Sequence, residues 1–151
     1  MSDAQTIHAG CVLVGEAGLL IRGASGSGKS TLAREVVSRA LRAGRFGRLV
    51  SDDRTRIEAR HGRLIAHPVE PLDGCIEVFG VGIVRQAHEP AAVIRLVIDL
   101  CEDLARYPEE LDGHVVICGV MVPRIRMQAG AVSVDIAVAC LSGVCDTVVT
   151  L

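Results

Sequence analysis

Hydrophobic and polar positions along the first third of the chain change in short, regular patterns. Residues 12–14 and 19–21 are apolar runs joined by turn-type residues, which predicts a β-hairpin. A glycine- and serine-rich loop follows at residues 23–28. Residues 30–43 then carry apolar side chains at helical spacing with charged side chains mostly on the other face. Because Gly44 stands where a helix would stop, this segment predicts an amphipathic α-helix.

The middle of the chain predicts further strands. A short strand is predicted at residues 48–51 and ends at Asp52 and Asp53. A second hairpin is predicted around His61 and Gly62, because short strand-like runs at residues 56–58 and 64–66 flank this turn-forming pair. Later strands are predicted at residues 93–100, 115–117 and 120–127.

Two segments have less regular patterns. Residues 75–84 lie among prolines and glycines, so we expect loops around a short apolar segment there. Residues 131–149 fit a helical stripe, although their valines also suit a strand, and we expect a helix. No repeat, low-complexity tract or linker interrupts the chain. Residues 1–151 therefore predict one mixed α/β domain.

Composition excludes several classes of function. The chain has 151 residues and a net charge of −2, which gives no general attraction to nucleic acid or to an anionic membrane. Only 2% of its residues are aromatic, so stacking of single-stranded bases is not expected. The first residues lack the pattern of a secretory signal, and no apolar run is long enough to cross a bilayer. The six cysteines are scattered without a paired metal-ligand spacing. We therefore expect a cytoplasmic protein.

The loop at residues 23–30 matches the phosphate-loop pattern G-x-x-x-x-G-K-[ST] without a gap. Its context is also right, since an apolar strand precedes it and an amphipathic helix follows. Backbone N–H groups of such a loop bind phosphate oxygens, while Lys29, the only lysine of the chain, would reach the β- and γ-phosphates. Ser30 would ligate Mg²⁺. The predicted nucleotide-binding residues are Gly23, Ala24, Ser25, Gly26, Ser27, Gly28, Lys29, Ser30 and Thr31.

Phosphoryl transfer also needs a carboxylate near the γ-phosphate, and the sequence offers two candidates. Asp99 follows the apolar run at residues 96–98, which is the usual pattern of the metal-binding aspartate in nucleotide hydrolases. The pair Asp52 and Asp53 stands at the end of another predicted strand. Two adjacent carboxylates could divide the labour, with one acting as base and the other holding metal. The spacing alone leaves both possibilities open.

Several segments together resemble the bacterial HPr kinase/phosphorylases. The matching segments are residues 8–10, 23–30, 51–53, 76–84 and 122–125, in the order and spacing of that family's catalytic domain, so that the resemblance runs from about His8 to about Val138. It implies an α/β fold with a single P-loop-containing domain, related to the phosphoenolpyruvate carboxykinases. It also implies ATP and Mg²⁺ as cofactors, a serine of the phosphocarrier protein HPr as acceptor, and a homo-oligomer, commonly a hexamer. In the family the same site also removes the phosphate by phosphorolysis.

The resemblance carries over residue roles. Lys29 would bind the β-phosphate, and Asp52 would be the base that takes the proton of the target serine. Ser30, Asp53 and Glu77 would hold metal or order the site. His8 would orient the aspartate that acts as base. Arg124 would lie near the phosphates.

This chain departs from the family pattern in two ways. Phe79 stands where the family usually has arginine. The chain also begins close to the catalytic segment, which resembles the truncated family form without an N-terminal regulatory domain.

Two other functions fit the phosphate loop without the family resemblance. One is a small-molecule kinase, although the dispersed arginines do not suggest the arginine-rich lid of such enzymes. The other is a nucleotide-dependent switch without catalysis. Label transferred from ATP to a small protein, to small molecules or to nothing would distinguish the three functions.

Overall fold

The computed structural model describes residues 4–70, 73–102, 113–128 and 130–141. These residues form eleven strands and two helices. In chain order the elements are β1 (Gln5–Ile7), β2 (Ala9–Val14), β3 (Ala17–Gly23), α1 (Lys29–Arg42), β4 (Gly47–Ser51), β5 (Thr55–Arg60), β6 (Arg63–Pro68), β7 (Cys75–Val78), β8 (Gly82–Arg85), β9 (Ala92–Leu100), β10 (His114–Ile117), β11 (Val120–Met127) and α2 (Ala131–Leu141).

Nine of the described strands belong to one sheet, in which the order β1-β5-β6-β9-β3-β2-β4 forms the main path. Strand β9 is central, since it pairs parallel with both β3 and β11 and antiparallel with β6. Strand β10 extends the sheet beyond β11. The remaining strands, β7 and β8, pair only with each other in the described residues.

Two apolar clusters cover the two faces of this sheet. Leu19 and Ile21 of β3 face α1 and α2, whereas Leu20 between them faces the other cluster with Val50, Ile57 and other residues of the sheet. This separation follows from the alternation of side chains along a strand. All three β3 side chains are fully buried. The strand that leads into the glycine-rich loop is therefore anchored on both sides.

The turns explain why most predicted elements are confirmed. The predicted hairpins correspond to β2–β3 and β5–β6, and the latter turns at His61 and Gly62, both with positive φ. The predicted amphipathic helix is α1, which begins one residue earlier than expected and stops before Gly44 at φ 73°. The predicted later strands are β9, β10 and β11. Helix α2 confirms the helical interpretation up to Leu141, and residues 142–149 lie outside the described residues.

The sequence analysis expected loops around a short apolar segment at residues 75–84 and assigned no strand within that segment. This segment is the hairpin β7–β8, in which Glu77 pairs with Ile83 and Val78 with Gly82. Its turn is closed by a hydrogen bond from the Val81 N–H to the Val78 carbonyl, 3.0 Å long. Ile76, 1% exposed, packs into the cluster beside α1, and this burial stabilises a hairpin that the glycines and prolines around it obscure in the sequence.

Strand β1 was not predicted. It pairs antiparallel with β5, from Gln5 opposite Ile57 to Ile7 opposite Thr55. The pairing places the next residue, His8, at the end of the sheet where β4 stops. In the described part of the chain no helix is long and apolar enough to cross a membrane.

Candidate active site

The glycine-rich loop connects the carboxyl end of β3, an interior strand of the sheet, to α1. Gly26 and Gly28 have φ of 80° and 99°, which residues with a side chain adopt only with strain. Gly28 is the N-cap of α1, where no side chain caps the helix and no acidic residue stands in the first turn. The N–H groups at the start of α1 thus present the positive end of the helix dipole to the cavity above the loop.

Lys29 is held inside this loop. Its side chain is 6% exposed, and its ammonium donates hydrogen bonds to the carbonyls of Gly23 and Ala24, at 2.9 and 3.0 Å. The Lys29 ammonium also lies 4.0 Å from Asp53 Oδ1. The loop therefore concentrates positive charge from a buried ammonium and from a helix terminus in one small volume.

Ser27 adds an unsatisfied polar atom to the loop. Its Oγ is buried and has no hydrogen-bond partner among the described residues. Gly23 lies against it, since a Cβ at that position would come within 2.5 Å of Ser27 Oγ. This close approach explains the glycine at the first position of the loop. An unpartnered hydroxyl and uncapped N–H groups fit a bound phosphate.

Asp52 joins the loop helix to two other elements. Its Oδ1 accepts a hydrogen bond of 2.7 Å from the Ser30 hydroxyl, and its Oδ2 accepts one of 3.1 Å from the Glu77 backbone N–H. Asp52 follows β4, Ser30 lies in the first turn of α1, and Glu77 belongs to β7. The carboxylate beside Ser30 is thus Asp52, whereas the sequence analysis grouped Ser30 with Asp53 and Glu77.

Asp53 faces a different neighbour. The Arg54 N–H donates to the Asp52 carbonyl at 2.7 Å, which makes a tight turn with Asp53 at its centre at φ 65°. The Asp53 carboxylate is hydrogen-bonded to His8 Nε2. The expected partner of His8 was Asp52, so this expectation was wrong. Asp52 and Asp53 lie beyond the last residue of β4, Ser51, and the tight turn at Asp53 gives the two carboxylates different partners.

Two buried hydroxyls next to this turn hydrogen-bond to each other and to β2. Ser51 Oγ and Thr55 Oγ1 are 2.5 Å apart, and Thr55 donates to the carbonyl of Ala9 at 2.7 Å. Both residues are buried and flank the Asp52–Asp53 pair in the sequence. They tie the turn to β2, the strand that follows His8. Sequence reasoning missed this support, and a hydroxyl residue on each side of the acidic pair was the available signal.

Asp99 takes part in a separate charge cluster on β9. Arg22 Nε and Nη2 donate to its two oxygens at 2.7 and 2.8 Å, and Arg124 Nη1 lies 3.4 Å from Oδ2. The hydrogen bond to Asp99 raises the pKa of the Arg22 guanidinium further above its ordinary value. Of the two carboxylate candidates, Asp52 rather than Asp99 contacts Ser30. Arg124, expected near the phosphates, contacts Asp99 instead of lining the cavity at Lys29.

Two cavities flank the glycine-rich loop. The first, about 410 Å³, brings together six of the nine predicted nucleotide-binding residues, both aspartates and the β7–β8 hairpin, whereas Ala24 and Ser27 line the second cavity. The first cavity is lined by Ser25, Gly26, Gly28, Lys29, Ser30, Thr31, Arg34, Asp52, Asp53, Glu77 and Phe79. The second, about 660 Å³, opens on the other side of the loop against the end of β9 and Gln128. The first cavity contains the chemistry, because its lining holds both carboxylates and the ammonium.

The residues of the first cavity suit a magnesium ion that arrives with a phosphate. No three His, Cys, Asp or Glu side chains form a ready-made metal cluster in the described ranges. Mg²⁺ typically uses one or two carboxylates together with waters and substrate phosphates. Ser30, Asp52 and Glu77 provide a hydroxyl and two carboxylates beside the loop, which fits that partial ligand set.

The fold and the site define a mixed α/β protein with a curled sheet, in which a strand, a glycine-rich loop and a helix meet paired carboxylates. The chain belongs to the family of the HPr Serine kinase C-terminal domain, whose family model matches residues 1–128. This confirms the resemblance found in the sequence. That residues 1–151 form one domain stays a prediction.

Known proteins with related sequences or folds agree with this family. The proteins named HPr kinase/phosphorylase from Streptococcus thermophilus and Streptococcus pneumoniae are each 31% identical to this chain, over 84% of it. The matched part is 43% of each relative, so the chain spans less than half the length of these curated relatives. The solved structure of the Hpr(Ser) kinase/phosphatase from Coxiella burnetii has the same fold. Its TM-score is 0.75 at 24% identity, over 92% of this chain and 89% of that chain.

Proposed function

We propose that this protein transfers the γ-phosphoryl group of ATP to a serine hydroxyl of the phosphocarrier protein HPr. The family and the names of the relatives support the reaction class. The observation that carries the proposal is the meeting of Lys29, Ser30, Asp52 and Asp53 in one cavity at a helix N-terminus. This arrangement combines groups that can bind phosphates with two carboxylates that line the same cavity.

The glycine-rich loop is proposed to bind the triphosphate. The uncapped N–H groups of α1, the unpartnered Ser27 hydroxyl and the Lys29 ammonium would donate to phosphate oxygens. Ser30, Asp52 and Glu77 would hold Mg²⁺, which when bound offsets the negative charge of the phosphates. Because phosphoryl transfer depends mostly on positioning and electrostatics, these contacts would supply most of the acceleration.

We assign the proton acceptor to Asp53 rather than to Asp52, which the sequence analysis favoured. Both oxygens of Asp52 already accept hydrogen bonds, from Ser30 and from Glu77. Asp53 is open to an incoming hydroxyl, with its side chain 59% exposed, and His8 orients it. In the forward reaction, the serine O–H proton would pass to Asp53 Oδ while the serine oxygen bonds to the γ-phosphorus and ADP leaves.

The same geometry serves the reverse reaction. Asp53 would take the proton of inorganic phosphate as the phosphate oxygen bonds to the phosphoserine phosphorus, and would pass it to the departing serine oxygen, leaving pyrophosphate and the free serine. The relatives named kinase/phosphorylase support including this direction in the proposal. The family resemblance also supports a cytoplasmic homo-oligomer, a hexamer in its common form, for this chain.

The test is transfer of label from γ-³²P-ATP with Mg²⁺ to purified HPr, followed by mass spectrometry of the modified serine. Wild-type protein is expected to label HPr, and Lys29→Met is expected to label none while retaining the far-ultraviolet circular dichroism of the wild type. Incubating the protein with purified phosphoserine-HPr and inorganic phosphate is expected to release pyrophosphate. Label on small molecules in a lysate but not on HPr would instead identify a small-molecule kinase. Tight ATP binding without any transfer would identify a switch.

A further inference from the structure

The β7–β8 hairpin presents three large apolar side chains to solvent within five residues. Phe79 is fully exposed at 102%, and Val81 and Ile83 are each 73% exposed. The opposite face of the hairpin is anchored, since Ile76 is buried and Val78 and Val84 pack partly against the core. The exposed side chains therefore contribute little to folding, and we call Phe79, Val81 and Ile83 the hairpin patch.

The described residues leave the hairpin patch uncovered. A Cβ added at Gly80 or at Gly82, which lie between the three apolar residues, would meet nothing within 4 Å. Single exposed apolar side chains are common on soluble proteins, but a concentrated group usually marks a binding surface. The grouping of the three exposed side chains in the described part of the chain therefore suggests a binding surface.

One member of the hairpin patch lines the cavity of the candidate active site, and the other two lie outside it. Phe79 lines the same cavity as Lys29 and Asp53, and the Glu77 N–H of this hairpin donates to Asp52. Val81 and Ile83 do not line that cavity. A nucleotide stacked on Phe79 would leave them unused, whereas a protein that brings its hydroxyl to Asp53 would cover all three.

We propose that the hairpin patch docks the acceptor protein through apolar side chains that flank its target serine. The inference rests on the proposed function and specifies how that site would recognise a folded protein. Burial of the three side chains would favour the complex, because apolar area is removed from water. The attachment of the hairpin to Asp52 would fix the distance between the docked protein and the paired carboxylates.

The test uses Val81→Asp and Ile83→Asp in the full chain, with steady-state kinetics in which HPr and ATP are varied separately. Phe79 is left unchanged because it also lines the nucleotide cavity. Each aspartate is expected to raise the KM for HPr by at least about tenfold, because a charge would be buried in an apolar contact. The KM for ATP should stay at the wild-type value. Val116→Asp is the matched control, since Val116 is 62% exposed on another hairpin and outside this cavity.

Four results would overturn the docking inference. The KM for HPr could stay unchanged in both variants, or Val116→Asp could raise it equally. A rise in the KM for ATP alone would assign the patch to the nucleotide. Loss of the wild-type oligomer in sedimentation velocity would assign it to a second copy of this chain. Failure of the wild type to label HPr would refute the proposed function itself, and this result is separate because the variants are compared only with an active wild type.

Discussion

The hydroxyl of Ser30 donates a hydrogen bond of 2.7 Å to Asp52 Oδ1, which joins the first turn of α1 to the end of β4. One residue further, Asp53 contacts His8 instead. Two neighbouring carboxylates thus have different partners. Asp52 lies beside Ser30, a proposed metal ligand, and Asp53 lies beside His8, where the acceptor serine is proposed to bind. Their different surroundings predict different effects of the same substitution.

Asp52→Asn is expected to raise the Mg²⁺ concentration needed for half-maximal transfer, because it removes a carboxylate beside Ser30. Asp53→Asn is expected to lower kcat by about 100- to 10,000-fold with an unchanged Mg²⁺ requirement, as expected for loss of a general base. Titrations of Mg²⁺ in the HPr labelling assay measure both quantities. His8→Ala should also lower kcat, because His8 is the hydrogen-bond partner of Asp53. The assignment of roles is wrong if Asp52→Asn lowers only kcat while Asp53→Asn changes the Mg²⁺ requirement.

Asp99 is expected to stabilise the fold without taking part in metal binding. Its two oxygens accept hydrogen bonds from Arg22, and Arg124 lies beside them. Asp99→Asn should lower the free energy of unfolding by about 1 to 3 kcal/mol, between the values for exposed and for fully buried ion pairs, because Asp99 and Arg22 are partly buried. Urea unfolding followed by circular dichroism measures the change. The Mg²⁺ requirement of the variant should match that of the wild type, and a shifted requirement would return Asp99 to the metal site.

The matched control for Asp99 is Asp135→Asn. Asp135 also pairs with an arginine, Arg39, but both side chains are well exposed, at 62% and 44%. Exposed ion pairs contribute at most about 1 kcal/mol because water screens the charges. If Asp135→Asn lowered the free energy of unfolding as much as Asp99→Asn does, burial would not explain the contribution of Asp99.

Local signals were enough to predict the elements around the glycine-rich loop. The loop, α1 and the hairpin at His61 and Gly62 depend on turn residues and periodicity within a few positions, and all three are confirmed. The paired carboxylates were also correctly placed at the end of a strand. These features are readable because each is specified by neighbours in the sequence.

Contacts between distant segments could not be predicted in the same way. The partner of His8 depends on the three-residue strand β1, which exists only because it pairs with β5 about fifty residues later. Asp99 fits the pattern of a metal-binding aspartate, but Arg22 on the neighbouring strand binds it. The β7–β8 hairpin is stabilised by burial of Ile76 beside α1, which no local pattern reports.

Ile76→Ala is expected to destabilise the protein by about 2 to 5 kcal/mol, because it leaves a cavity where a buried side chain packs against the core. It should also weaken HPr labelling, since the adjacent Glu77 N–H positions Asp52. Ile83→Ala on the same hairpin is the control and should change the free energy of unfolding by no more than about 0.5 kcal/mol. Equal effects of the two substitutions in urea unfolding would show that the hairpin is not anchored through Ile76.

Glu58 predicts how stability responds to acid. Its carboxylate is 6% exposed and accepts a hydrogen bond of 2.9 Å from His67, with Arg60 at 3.4 Å. The hydrogen bond from His67, assisted by the nearby positive charges, lowers the pKa of Glu58 below its ordinary value of 4.5. The folded state therefore favours the ionised form. This contribution is fully present above pH 4.5 and is lost as the pH falls through the lowered pKa.

Glu58→Gln cannot lose a contribution that depends on ionisation, so its free energy of unfolding should fall less steeply with acid than that of the wild type. The measurement is urea unfolding at several pH values between about 7 and 3, followed by circular dichroism because the chain has no tryptophan. Glu35→Gln, on the exposed face of α1, is the matched control and should keep the wild-type slope. If Glu58→Gln and Glu35→Gln show the same slope below pH 4.5, the contact with His67 does not control the acid response.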